Sequence, residues 1–236
     1  VNADKSCTLE CQWDNNAWAT GLRFISHLHF MTLKIHEIFY SLQGESSRVG
    51  LPTVFVRLTG CPLRCGYCDT EYAFHGGSTQ SFEDILLQVA TYQAKFVCVT
   101  GGEPLAQKGC LQLLTMLCDA GYSVSIETSG AMDISQVDSR VSVIMDIKTP
   151  GSGEVTKNFW SNIGHLKVQD EVKFVLVDQA DYVWSKQILT EYKISDKCPI
   201  LFSPGYHTLK PEDLAAWVLE DHLPVRMQVQ LHKILW

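Results

Sequence analysis

The chain has 236 residues, 46% of them hydrophobic and 19% charged, with a formal net charge of −7. That size and balance describe a folded domain with a large core, near the usual size of α/β barrel enzymes. Scattered basic residues argue against a nucleic-acid surface, and no apolar run approaches the roughly 18 residues needed to span a membrane. Nine cysteines would form a disulfide framework in a short secreted chain. Here the count is odd, and Cys98, Cys110 and Cys118 sit in apolar segments, which points to reduced thiols in the cytoplasm.

The first 30 residues differ in character from the rest of the chain. Asp4, Glu10 and Asp14 rule out a signal or transit peptide. The expected organisation is an N-terminal extension over 1–30, outside the fold, and one core domain over 31–236 with its natural start at Met31. Cys7 and Cys11 are read as a chance pair. From Met31 onward, β-type and helical runs alternate. "TVFVRLTG" (53–60) is a strand, followed at once by "CPLRCGYC". "SFEDILLQVATY" opens a helix with Ser81 three residues before Asp84, a capping-box pattern. "KFVCVTGGEP" is a strand ending in a glycine turn, and "GCLQLLTMLCDAGY" a helix closed by Gly121. "SVSIETSG", "VSVIMDIKTPGSG", "EVKFVLV" and "CPILFSPG" are further strand–turn units. "KPEDLAAWVLEDH" is a helix with Pro211 in its first turn, and "VRMQVQLHKILW" reads as a last strand. Near-continuously apolar strands alternating with helices imply a parallel sheet covered by helices. About six or seven strands fall short of the eight of a closed barrel. The expected fold is therefore α/β, an incomplete (partial) TIM-like β/α barrel with the cysteine loop after its first barrel strand.

The segments with unusual chemistry all come directly after a strand: the cysteine loop, "TGGEP", "ETSG", "DIKTPGSG" and "SPGYH". In parallel α/β folds those C-terminal edges form one face, where sites are built. Cys61, Cys65 and Cys68 stand in C-x3-C-x2-C spacing. Structural zinc requires a fourth ligand. A redox pair, Cys65 with Cys68, leaves Cys61 without a task. Three thiolates also suit three corners of an iron–sulfur cubane whose fourth iron keeps an open position.

"CPLRCGYC" followed by "TGGEP" resembles the radical S-adenosylmethionine superfamily. More of the chain, including "IFYSLQGES", "PTVFVRLTGCPLRC" and "QVQLHKILW", looks like the 7-carboxy-7-deazaguanine synthase family, from Met31 to the end. The resemblance implies a lyase of queuosine-type 7-deazapurine biosynthesis that converts 6-carboxy-5,6,7,8-tetrahydropterin to 7-carboxy-7-deazaguanine with release of ammonia. It implies a 4Fe–4S cluster on Cys61, Cys65 and Cys68, S-adenosylmethionine, and Mg2+ held with the help of Thr70. It carries cofactor contacts onto Gly101, Gly102, Glu103, Ser129, Asp146, Ile147, Lys148, Ser203, Pro204, Gly205 and Tyr206. Substrate contacts fall on Leu42, Gln43, Gly44, Glu45, Arg57 and Thr100. An external electron donor of flavodoxin or ferredoxin type and a homodimer are further implications.

The residue types suit these tasks. Glycines let backbone approach closely, Glu103 offers an acceptor for an ammonium, and Arg57 presents a planar fork for a carboxylate. His232 and Lys233 end the resemblance near the site. Members often continue past this ending into a short tail containing Gly and Pro, so part of the substrate pocket is expected to be missing here. Two other readings stay open at this level: an activase of the same superfamily that acts on a partner protein, and a non-catalytic iron–sulfur or zinc module.

Overall fold

In the computed structural model, residues 32–235 are described; the extension expected over 1–30 lies outside them. A hairpin opens the fold. Strand β1 (Thr32–Leu42) runs antiparallel to β2 (Pro52–Leu58) and, on its other side, to β3 (Ser78–Ser81). From β2 the sheet continues in parallel through β4 (Phe96–Gly101), β5 (Ser123–Thr128), β6 (Ser142–Asp146), β7 (Glu171–Leu176), β8 (Ile200–Pro204) and the two-residue β9 (Arg226–Met227). The order β3-β1-β2-β4-β5-β6-β7-β8-β9 leaves β3 and β9 as edges. The sheet is mixed rather than purely parallel and does not close, as an incomplete barrel requires.

Strands β2 and β4 to β7 alternate strictly, because successive side chains point to opposite faces. Val54, Val56 and Leu58, then Val97 and Val99, Val124 and Ile126, Val143 and Met145, and Val172, Phe174 and Leu176 join the core under the helices. The intervening Phe55, Arg57, Thr100, Glu127, Ile144, Asp146, Lys173 and Val175 face a cavity on the other side. The strands looked continuously apolar because Phe55, Cys98, Ile144 and Val175 are themselves apolar inward residues.

Helix α1 (Phe82–Thr91) begins as expected: the Ser81 Oγ accepts from the Asp84 N–H at 3.1 Å and donates back to its carboxylate at 2.6 Å. It buries Phe82, Ile85 and Val89. Helix α2 (Cys110–Asp119) buries Cys110, Leu113, Leu114 and Leu117, one face at helical spacing. Its end is a Schellman turn. Tyr122 N–H donates to Leu117 O and Gly121 N–H to Cys118 O, with Gly121 at φ +88°. Helix α3 (Gln179–Tyr192) was not anticipated; Asp178 caps it by accepting from Asp181 N–H at 2.9 Å. Helix α4 (Pro211–Glu220) starts on Pro211 as expected. Among the described residues no helix is long and apolar enough to cross a membrane.

The last segment corrects the sequence reading. "VRMQVQLHKILW" pairs as a strand only at Arg226 and Met227, then crosses the gap that the sheet leaves open and ends in a short helix, α5 (His232–Leu235). Gln228 donates to Ser203 Oγ at 3.1 Å and accepts from Ser46 N–H at 3.0 Å. Gln230 donates to Glu45 at 2.7 Å, and Leu231 N–H to Gly44 O at 3.0 Å. The turn at 43–50 is thereby tied to the far edge of the sheet.

Candidate active site

A cavity of about 610 Å³ is enclosed by the inward strand positions, the turn at 43–45, the cysteine loop and the segment 230–233. Cys61, Cys65 and Cys68 line one side of it. Their loop leaves β2 through Gly60 at φ +97°, whose N–H donates to Ala73 O at 2.9 Å. Arg64 braces it from outside. Its guanidinium donates to Cys61 O and Leu63 O and lies 4.2 Å from the Phe74 ring centroid. The three thiols are free. Burial raises the pKa of each, to about 11 for Cys65. Neighbouring thiols add to it at Cys61 and Cys65 and the Asp69 and Glu71 carboxylates at Cys68, while Lys148 opposes the rise at all three without cancelling it. Lys148 alone does not bring them to thiolates, so a bound metal, whose charge favours the thiolate, would be needed to ionise them. Among the described residues no three His, Cys, Asp or Glu side chains are arranged to hold a single metal ion. Three thiols along one cavity wall suit a multi-iron cluster better than a lone zinc ion.

Seventeen of the expected site residues line this cavity, from five separate strand ends and the 42–45 turn. Glu103, Ile147, Ser203 and Pro204 do not. Glu103 is fully buried, and its carboxylate accepts from Leu105 N–H at 3.0 Å, Ser129 N–H at 2.7 Å and the Thr128 and Ser129 hydroxyls. It holds those two wall residues in place rather than facing the cavity. Ile147 packs in the core. Ser203 is bound to Gln228, and Pro204 is buried at the end of β8. The tight approach at Gly101 and Gly102 is also internal. A Cβ on Gly102 would lie 2.3 Å from Gly60 O and 2.6 Å from Cys61 Cβ, and one on Gly101 2.4 Å from Leu58 O. These glycines seat the "TGGEP" turn directly against the cysteine loop.

The polar wall is a set of linked pairs. Thr100 and Gln43 donate to the two oxygens of Glu127, at 3.0 and 3.1 Å. Lys173 Nζ lies 2.5 Å from Glu45 and 3.6 Å from Asp146, and Lys148 3.1 Å from Asp146. Register explains the grouping: Arg57 is the partner of Thr100, and Asp146 of Lys173. Burial alone would raise the Glu45 pKa, yet Lys173 and Gln230 hold it below the ordinary value. Burial would lower Lys173, and Glu45, Asp146 and Glu127 lift it well above. Lys148 is likewise raised against its burial, by Asp146 and Cys65. Asp69, between Cys68 and Thr70, is held well below the usual carboxylate range by His232, Lys233 and the Thr70 hydroxyl, against its burial. Two cavity-lining groups carry a buried oxygen with no partner, the Asp146 Oδ1 and the Tyr67 hydroxyl. Such orphans are expensive in a closed protein and fit a wall completed by a bound polar molecule.

Glu127, Lys173, Asp69, Gln230 and Tyr72 line the cavity without having been singled out from sequence. Lys173 had a signal, as the lone internal charge of "EVKFVLV". Glu127 stood at the head of the flagged "ETSG" turn.

Residues 55–146 match the Radical SAM superfamily. A Chlorobaculum tepidum protein named 7-carboxy-7-deazaguanine synthase is 46% identical over 208 residues, covering 86% of this chain and 94% of its own length. One from Koribacter versatilis with the same name is 41% identical over 219 residues, covering 86% and 97%. The crystal structure of QueE from Escherichia coli superposes with a TM-score of 0.73 at 23% identity, over 88% of this chain and 98% of that one, a likeness of fold.

Proposed function

Because the chain belongs to the 7-carboxy-7-deazaguanine synthase family of radical S-adenosylmethionine enzymes, we propose a division of labour among its cavity residues. The reaction is the conversion of 6-carboxy-5,6,7,8-tetrahydropterin to 7-carboxy-7-deazaguanine with release of ammonia. The 4Fe–4S cluster and S-adenosylmethionine, when bound, supply the adenosyl radical that begins the rearrangement.

Cys61, Cys65 and Cys68 would hold the cluster. Ser129, Asp146, Lys148, Gly205 and Tyr206, with the backbone at Gly101 and Gly102, form the wall beside it and would receive the cofactor. Asp146 Oδ1 and the Tyr67 hydroxyl are the unpartnered groups on that side. Glu103, Ile147, Ser203 and Pro204 support this wall from behind. Arg57 would take the substrate carboxylate, since its guanidinium offers paired donors. Glu127, steadied by Gln43 and Thr100, presents a carboxylate to the N–H-rich pyrimidine edge of a pterin. Leu42, Gly44 and Glu45, which also line the cavity, would contact the substrate. Thr70 would contribute its hydroxyl oxygen to Mg2+, with the anionic Asp69 beside it supplying negative charge.

Three free thiols and an oxygen-sensitive cluster favour the reducing cytoplasm, with electrons from a flavodoxin- or ferredoxin-type donor. The two open sheet edges favour a homodimer that covers them. The observation that carries the reading is that three thiols and the polar ends of five strands line one cavity. The test is anaerobic reconstitution with S-adenosylmethionine, Mg2+, reductant and 6-carboxy-5,6,7,8-tetrahydropterin, followed by mass analysis. Formation of 7-carboxy-7-deazaguanine, abolished in Cys65→Ala, is expected. 5′-Deoxyadenosine formed while the pterin survives would mean that the substrate is wrong.

A further inference from the structure

Strand β1 carries an irregularity that the function has not used. Leu33 and Ile35 point into the core, and strict alternation would send Glu37 there as well. Instead the register with β2 shifts between Ile35 and Glu37, and Ile38 becomes the next core residue. Such a bulge re-aims the side chains beyond it. Here it brings Glu37 directly opposite Arg57 on β2.

The consequence is a specific geometry. Arg57 Nε donates to Glu37 Oε1 at 2.7 Å, and the Tyr72 hydroxyl donates to the same oxygen at 2.9 Å. The guanidinium carbon lies 5.6 Å from the Phe39 ring centroid and 5.7 Å from that of Tyr72. A guanidinium has two edges that can grip a carboxylate, Nε with one Nη, or the two Nη together. Glu37 occupies the first. Among the described residues neither Nη nitrogen has a partner, and Arg57 lines the cavity with only 15% of its side chain exposed.

We propose that Glu37 is a positioning residue for substrate selection: by holding the Nε edge of Arg57, with Tyr72, it leaves only the end-on Nη fork for the substrate carboxylate. This rests on the reading of Arg57 given above. Glu37 does not line the cavity and acts through Arg57. The bulge is the means by which an acidic residue reaches that place on a strand that otherwise feeds the core.

Charge and orientation predict opposite signs, which makes the inference testable. Removing an anion beside Arg57 strengthens anion binding if only charge matters. It weakens carboxylate binding if the fork loses its aim. The test titrates pterin-6-carboxylate, followed by its fluorescence, into wild-type, Glu37→Gln and Glu37→Ala holoenzyme, with pterin lacking the carboxylate as the control. Glu37→Ala is expected to weaken pterin-6-carboxylate about tenfold or more and to leave pterin within about threefold. Glu37→Gln, whose amide oxygen still accepts from Nε, should stay near wild type for both. In turnover, KM for the tetrahydropterin should rise in Glu37→Ala with kcat little changed.

Tighter or unchanged pterin-6-carboxylate binding in Glu37→Ala would overturn the proposal. So would equal weakening of both ligands, or a loss in Glu37→Gln as large as in Glu37→Ala. Absence of turnover in the wild type would count against the assigned reaction instead, with the binding comparison still deciding the role of Glu37.

Discussion

The outward and inward faces of strands β2 and β4 to β7 share one backbone and obey different constraints. Outward, Val97, Val99, Val124, Ile126 and Phe174 are packed under helices with almost no exposure. Inward, one residue away along the same strands, stand Arg57, Thr100, Glu127, Asp146 and Lys173. Arg57 pairs with Glu37 on β1, and the others with one another, with Lys148 and with the turn at 43–45. The outward face is held by area removed from water, which tolerates swaps of similar volume. The inward face holds charges that burial makes costly, so each must keep its partner. One face specifies the fold, and the other holds polar groups ready for a polar ligand.

Substitutions that act on one face only would break or sharpen this contrast. Lys173→Met strips the partner from buried Glu45 and should cost about 4 kcal/mol in urea unfolding. Adding Glu45→Gln, which can still accept from Gln230, should restore most of that stability and none of the turnover. Recovery of activity in the double variant would show that the pair serves only packing. The same pair sets a pH limit. Glu45 has a lower pKa folded than unfolded, so its contribution is complete above the ordinary value of 4.5. It is lost as pH falls through the lower folded value. Acid unfolding of the wild type should therefore be steeper below that point than in the double variant. Leu114→Ala, on the helix that covers the outward face, should cost about 3 kcal/mol and leave KM unchanged. Gly44→Ala places a Cβ 2.2 Å from His232 Nδ1 and should cost about 2 kcal/mol. Unlike Leu114→Ala, it should raise KM by moving the cavity wall. Ser81→Ala removes the α1 cap at a cost of about 1 kcal/mol, with no kinetic effect.

What was legible in the sequence obeys the same division. The α1 and α2 stripes, the Ser81 cap and the Gly121 stop are local signals, and each stands where its residues place it. The cysteine loop and the turns after β4 to β6 were legible because a parallel strand order delivers them to one face. Helix α3 was not, because its buried positions are Asp181, Tyr182, Ser185, Ile188 and Leu189, and two polar residues dilute the stripe. Asp181 is there for other reasons: it accepts from Thr149, Gly151 and Val177. The segment after Met227 alternates like a strand, but its residues bond across a gap, and no local pattern records that. The placement of Glu37 depends on a bulge, which the alternation of "TLKIHEIF" conceals.

The segment that spans the open side of the sheet also bears on how the molecule assembles. The bond from Gln230 to Glu45 joins residues 185 positions apart. Closing so long a loop is entropically unfavourable until the intervening strands have paired, so this contact forms late. Its attachments are a few hydrogen bonds, the Lys233 ion pair to Asp69 and the approach of His232 to the same carboxylate rather than packed core. The free energy needed to detach it is correspondingly below that of global unfolding. Amide protons of 228–233 should then exchange before those of β4 and β5. The site is completed last and opened first, and a molecule entering from that side need not wait for the barrel strands to part.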